Sequence, residues 1–316
     1  MDQNTETVVS TLRDDLGRLS PLDLARKTWT RISDDEVTTL STSFAYFWVF
    51  AIPPLLILTV MIAAILNRAT SIQVVEHLRS LIQDRAPSDT REMLLNLTDN
   101  AVAKVGGGIA SFGAILTAII ALWSGSSAVA ILIKGFNRAY DVKESRSFLR
   151  LKLTTLALTL ALVLFVNLAF VLLVFGKRLG EWIADRFGLG SAFDAAWTIG
   201  RWPIAIVGIM LLLTLLYWKG PNVEQPFRWI TVGSLAATIL WLIVVAGMGL
   251  YLTLSNPGSA YGVLGSVIVL LVFLHFTGIV FFLGAEINAV LYRAAREATN
   301  PAPYLGTQPR PALADG

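Results

Sequence analysis

His275 and Glu286 stand eleven positions apart in one apolar stretch, Tyr261–Leu291. At 100° per residue they fall within about 20° of one helix face. Gly278 and Phe282 lie close to that face, and Arg293 continues it below His275. Ionisable groups aligned on a membrane helix point inward and mark a polar path. A simpler arrangement has Glu286 at the cytoplasmic interface paired with a basic residue, and His275 hydrogen-bonded inside a bundle. We expect the pairing for Glu286.

Three other places carry polar or backbone chemistry inside apolar runs. Pro53-Pro54 sits within the first. Each proline lacks an N–H, so carbonyls of the preceding turn are released to neighbouring helices, water or a ligand. Ser124, Ser126 and Ser127 flank Gly125 in the second run. Small polar residues let helices approach and hydrogen-bond, or they line a polar layer. By helical rise the serines lie about 23–27 Å down that run, and His275 about 21 Å down the last, so both can share one depth. Asn167, near the middle of the third run, serves as interhelical glue or joins the same layer. A basic stretch, Lys134–Lys152, carries Arg138, Lys143, Arg146 and Arg150. It can bind anionic headgroups, although positive charge on the cytoplasmic side needs no ligand to explain it.

Much chemistry is excluded at the outset. The chain has no cysteine and two histidines, His77 and His275, so thiolate or histidine-rich metal centres are not expected, and neither is a cofactor. Its net charge of +3 is accounted for by membrane topology and calls for no nucleic acid. Hydrolysing RNA needs clustered metal-binding acids or a paired acid and base in water. The one compact acidic group, Ser33-Asp34-Asp35-Glu36, reads as a capping box at a helix start. No enzyme is expected.

Only 15% of the 316 residues are charged and 55% are hydrophobic. Soluble domains carry about 25% charged residues. Six runs concentrate the apolar residues: Phe44–Leu66, Ile109–Ile133, Leu153–Gly176, Trp202–Trp218, Trp229–Leu254 and Tyr261–Ala285. Each is long enough to cross a bilayer as a helix, which satisfies every backbone group internally. Placing the N-terminus inside puts sixteen of the 25 Lys and Arg on the cytoplasmic side, so both termini are expected there. Ser20–Leu40 reads as a surface helix with Ser20 as its cap and Pro21 at its first position. Val75, Leu78 and Ile82, then Leu94, Leu97, Ala101 and Val105, mark two amphipathic helices in the long outer connection. The expected organisation is a cytoplasmic segment 1–40, a six-helix domain 41–291 and a disordered Pro/Gly-rich tail 292–316.

Three stretches resemble the YihY/BrkB family of bacterial inner-membrane proteins, once labelled ribonuclease BN. They are TSFAYFWVFAIPPLLIL at Thr42–Leu58; WSGSS, GFNRAYDV and ESRSFLR within Trp123–Arg150; and YGVLGSVIVLLVFLHF with LGAEINAVL within Tyr261–Leu291. The likeness covers most of Ser41–Leu291, with His275 standing where an aromatic residue is expected. It implies an all-α inner-membrane bundle rather than an activity. Translocation of a lipid-like or amphiphilic molecule is the leading expectation, with membrane lipids as partners. A noncatalytic scaffold for partner proteins is the alternative.

Overall fold

The computed structural model describes residues 20–69, 74–85, 88–106, 112–174, 176–188, 191–255 and 257–299. The tail from Asn300 and the first nineteen residues therefore lie outside the described residues. Among those described there are ten helices and no strand: α1 Pro21–Asp34, α2 Val37–Ala69, α3 Val74–Arg85, α4 Ser88–Gly106, α5 Phe112–Ala139, α6 Phe148–Val174, α7 Gly176–Phe187, α8 Ser191–Lys219, α9 Val232–Ser255 and α10 Pro257–Thr299. Among the described residues, four segments are long and apolar enough to cross a membrane: Phe148–Leu173, Ala196–Lys219, Val232–Ser255 and Val267–Arg296. Their outward faces are apolar too. Leu160, Leu164 and Leu168 form an exposed stripe at four-residue spacing, and Ile239, Ile243 and Leu250 form one at spacings of four and seven on α9. Such stripes suit hydrocarbon and not water.

A helix forms at the start of the expected Ser20–Leu40 stretch but ends at Asp34. Ser20 caps α1, its Oγ accepting from the Asp23 N–H at 3.1 Å, and proline opens the helix. Leu24 packs on Val290 and Leu291 of α10. The acidic quartet plays a different part from the helix-start cap the sequence suggests. It is the break between two helices: α1 ends at Asp34, and the Glu36 N–H bonds the Ser33 carbonyl while Glu36 adopts φ 50°. That left-handed turn frees the Asp35 and Glu36 side chains to reach α5.

Helices α3 and α4 match the two outer amphipathic segments. Between α6 and α8 the structure adds a third short helix, α7, and starts α8 at Ser191, well before the clean apolar run at Trp202. Tertiary contacts stabilise this polar extension. Trp197 stacks on Phe193 and donates its indole N–H to the Gly176 carbonyl at 2.5 Å. The last helix also outruns its apolar stretch. At 43 residues α10 is about 65 Å long, against about 30 Å of hydrocarbon.

The core lies at the end of the bundle that carries α1 and the last turns of α10. Phe44 of α2, Phe136 of α5, Tyr217 of α8 and Phe282 of α10 are all almost fully buried. Phe136 meets Tyr217 and Phe282 edge-on at 5.3 and 6.1 Å, and Phe282 meets Phe44 at 6.5 Å. In lipid the alternative to burial is an equally apolar chain, so close packing supplies the stability that transfer from water would otherwise give. Glycine permits that packing. A Cβ on Gly284 would meet the Tyr217 hydroxyl and lie 2.8 Å from the Gly233 carbonyl oxygen. The backbones of α9 and α10 thus touch at this end.

Candidate functional site

Polar side chains concentrate at the α1 end. The α1–α2 corner, the end of α5 and the last turns of α10 meet there in a charged cluster. Asp35 and Glu286 are each 1% exposed. Their carboxyl groups are neighbours within hydrogen-bonding reach, and Arg31 and Arg293 face the same site. Arg138 bridges the corner: Nε lies 3.6 Å from Asp35 Oδ1 and Nη1 lies 2.7 Å from Glu36 Oε2, while Nη2 donates to the Asp34 carbonyl at 3.3 Å. Arg293 donates to the Ala139 carbonyl at 2.7 Å and to Asp141 at 3.1 Å, and Arg31 reaches Asp141 at 3.0 Å.

Two non-glycine residues have positive φ among those described, Glu36 at 50° and Asp141 at 55°. Both are acids in this cluster. Left-handed backbone costs energy and persists only where surrounding contacts impose it. Here the contacts are ion pairs that tie α1, α5 and α10 together.

The pairing expected for Glu286 is not what forms. Its close partner is another carboxyl, and Oε2 has no hydrogen-bond partner. The helix-face argument does hold in one respect. Glu286 and His275 both face the chain segment that includes α2, since His275 Nδ1 lies 3.3 Å from Thr42 Oγ1. Arg293, on the same face, is captured by α5 instead.

A second polar network staples the 140–147 turn to the 220–231 connection. Asn137 accepts from the Asn222 N–H at 2.7 Å and donates to Glu144 at 2.8 Å. Arg146 holds Glu144 through two short bonds of 2.7 Å and donates to the Gly220 carbonyl at 2.9 Å. The Arg146 guanidinium is the main reason that the Glu144 carboxyl is held down to about 2, with the Asn137 amide adding to it against partial burial. Of the four candidate headgroup bases, Arg138 and Arg146 are thus engaged in ion pairs, while Lys143 and Arg150 are exposed.

The serine layer divides between helices. Ser126 is fully buried, donates to the Trp123 carbonyl at 2.6 Å and accepts from Lys152 Nζ at 2.6 Å. Lys152 lies 3.9 Å above the Trp123 ring, so α5 and α6 clasp one ammonium between a hydroxyl and an aromatic face. Ser124 and Ser127 are half-buried on the same helix. Ser126 therefore bonds toward α6 and His275 toward α2, and no hydrogen bond among the described residues joins them. Asn167 is buried and turns back on its own helix, donating to the Val163 carbonyl at 2.8 Å. Helix α2 runs on through 53–54, and the side chains of Pro53 and Pro54 lie outside the described residues.

Two concave features, one between α8, the 220–231 connection and α10 and one between α9 and α10, are ones the sequence did not point to. At the α1 end, a cavity of about 90 Å³ is lined by Tyr140, Tyr217, Trp218, Tyr292, Arg228 and Asn288. Its wall is locked by polar contacts: Asn288 accepts from the Gly233 N–H at 2.9 Å and donates to Thr231 at 3.0 Å, and Thr214 bonds Ser234 at 2.9 Å. Farther along, α9 and α10 open into an apolar groove of about 370 Å³ lined by Val244, Met248, Tyr251, Ile268, Val272 and Phe276. Gly247 lines it as well, and a Cβ there would meet nothing within 4 Å. The pair thus touches at Gly233–Gly284 and spreads toward its far half. Periodicity could not show this, because both ends of α9 look equally apolar. Among the described residues, no group of three His, Cys, Asp or Glu is placed to hold a metal ion.

Apolar helices with lipid-suited outer faces, joined by ion pairs and small-residue contacts, define an integral membrane helix bundle. The family described as Virulence factor BrkB matches residues 28–304, and the chain belongs to it. The chain is 31% identical over 273 residues to YfkH of Bacillus subtilis, whose name describes it as ribonuclease-like, covering 86% of this chain and 96% of that one. Relatives named UPF0761 membrane protein occur in Laribacter hongkongensis, 26% identical over 83% of this chain and 60% of the other, and in Cronobacter sakazakii, 24% identical over 85% and 89%. No solved structure matches.

Proposed function

We propose that this protein is a noncatalytic, six-span protein of the cytoplasmic membrane that lets a lipid-like amphiphile pass along the α9–α10 seam. The observation that carries this reading is the apolar groove of about 370 Å³, open laterally between two membrane helices. Its size lies within the roughly 300–1,000 Å³ of small-molecule sites. Hydrocarbon chains can enter it from the bilayer without crossing water. The smaller polar cavity between α8, the 220–231 connection and α10, with Arg228 in its wall, offers room for a polar group at the α1 end. Helices α2 and α5, of 33 and 28 residues, supply the remaining two spans. The excess of basic residues on one side supports the orientation with both termini in the cytoplasm.

A catalytic reading has less behind it. The acids that cluster here are held by Arg31, Arg138 and Arg293 rather than arrayed for a metal or a water. A scaffold reading gains support from the close-packed core around Phe44, Phe136, Tyr217 and Phe282. In that case the groove seats a partner's apolar helix.

The test is transfer of labelled anionic phospholipid between leaflets of reconstituted liposomes. Wild type should exceed empty vesicles, and Gly247→Phe, which fills the groove, should return the rate toward the empty level. Equal rates for wild type and empty vesicles remove phospholipid transfer. If Gly247→Phe then changes which proteins copurify, the scaffold reading stands.

A further inference from the structure

Helix α1 has two apolar faces and the bundle covers only one. Leu24 and Thr28 are buried, Leu24 against Val290 and Leu291 of α10. Leu22 and Trp29 lie within about 20° of each other and about 140–160° from Leu24. They are 79% and 77% exposed. Two large side chains standing that far out on a surface otherwise closed by ion pairs need an apolar neighbour.

The surroundings say which one. Arg26 borders the stripe, about 40–60° round the helix, and Lys27 stands between the stripe and Leu24; both are exposed, and neither forms an ion pair among the described residues. Asp23, on the same helix, is engaged at the cap, where Ser20 Oγ donates to it at 2.6 Å. At the same end of the bundle, Phe148, Leu149 and Trp229 are 80%, 67% and 61% exposed where their spans begin. Aromatic residues at span ends settle at headgroup depth. The Leu22–Trp29 stripe therefore continues an aromatic belt that marks a membrane surface. A helix with an exposed apolar stripe and exposed bases is also what an anionic interface retains.

We propose that the outer face of α1 is a docking surface for anionic lipid: Leu22 and Trp29 enter the leaflet while Arg26 and Lys27 engage phosphate headgroups. This moves the headgroup contact from Arg138 and Arg146, which are ion-paired, to α1. It is independent of the α9–α10 groove.

The cysteine-free chain allows a direct test. Single cysteines at Leu22, Trp29 and Asp23 are spin-labelled in the full-length protein and reconstituted into phosphatidylcholine vesicles with or without phosphatidylglycerol. With phosphatidylglycerol, labels at 22 and 29 should collide with oxygen and be severalfold less accessible to an aqueous nickel chelate than the label at 23. Arg26→Gln/Lys27→Gln should abolish the dependence on phosphatidylglycerol while Trp29 insertion into the bilayer weakens. Labels at 22 and 29 as water-accessible as the one at 23 in both vesicles would overturn the proposal and leave a protein partner for that face. Insertion that ignores phosphatidylglycerol in the unsubstituted helix would overturn the headgroup part.

Discussion

Asp35 and Glu286 place two buried carboxyl groups side by side, one at the α1–α2 corner and one on α10. The guanidinium within ion-pair range of Asp35 belongs to Arg138 on a third helix, at 3.6 Å. The corner is therefore held by a base from α5 and not by the base expected on Glu286.

This arrangement separates two substitutions. Glu286→Gln keeps the shape and hydrogen-bonding capacity while removing one of two adjacent acids, so detergent thermal stability should hold or rise. Arg138→Gln removes a guanidinium 3.6 Å from the buried Asp35 and should lower stability by up to about 3 kcal/mol, discounted because Arg138 is itself 28% exposed. A large loss from Glu286→Gln would show that Glu286 is paired to a base after all.

The α9–α10 contact gives a contrast between glycines on one helix pair. Gly284→Ala drives a Cβ toward the Gly233 carbonyl, which is backbone and cannot yield. The expected cost is about 1–3 kcal/mol, typical of overpacking. Gly249→Ala meets nothing within 4 Å and should be neutral or stabilising by about 0.5–1 kcal/mol from helix propensity. Thermal unfolding of the two variants in the same detergent checks both signs.

The Glu144–Arg146 pair predicts a pH dependence. Glu144 ordinarily titrates near 4.5 and is held down to about 2 in the folded protein. A depressed carboxyl stabilises fully above 4.5, and that contribution fades as pH falls from 4.5 through 2. Glu144→Gln should be less stable than wild type at pH 7, and the two stabilities should converge between pH 4.5 and 2. A gap that is unchanged at pH 3 would mean the ion pair is not its source.

Topology is accessible to labelling on the same cysteine-free chain. Cysteines at Asp89 and at the exposed Asp185 of α7 should react with impermeant reagents added to intact cells. Cysteines at Lys143 and Arg296 should react only after lysis. External labelling of Lys143 would invert or discard the orientation.

Much of this architecture is legible in the chain alone. Uncharged runs at Leu153–Gly176, Trp229–Leu254 and Tyr261–Ala285 dictate helices because hydrocarbon offers no other backbone solution. Ser20-Pro21 and the stripes around Val75 and Leu94 place surface helices by local capping and periodicity, and these also form. What depends on pairs distant in sequence was decided by the tertiary structure. Arg138 meets Glu36 across 102 positions, Arg146 reaches the Gly220 carbonyl across 74, and Asn288 bonds Gly233 across 55. No local pattern tells a base destined for a lipid from one destined for an acid, so Arg138, Lys143, Arg146 and Arg150 all read as candidate headgroup sites, although Arg138 and Arg146 are ion-paired. Nor does hydropathy show where two apolar helices touch and where they part. That is set by which face Gly233 and Gly284 present to each other, since backbone contact there leaves the bulkier residues farther along α9 and α10 to hold a groove open.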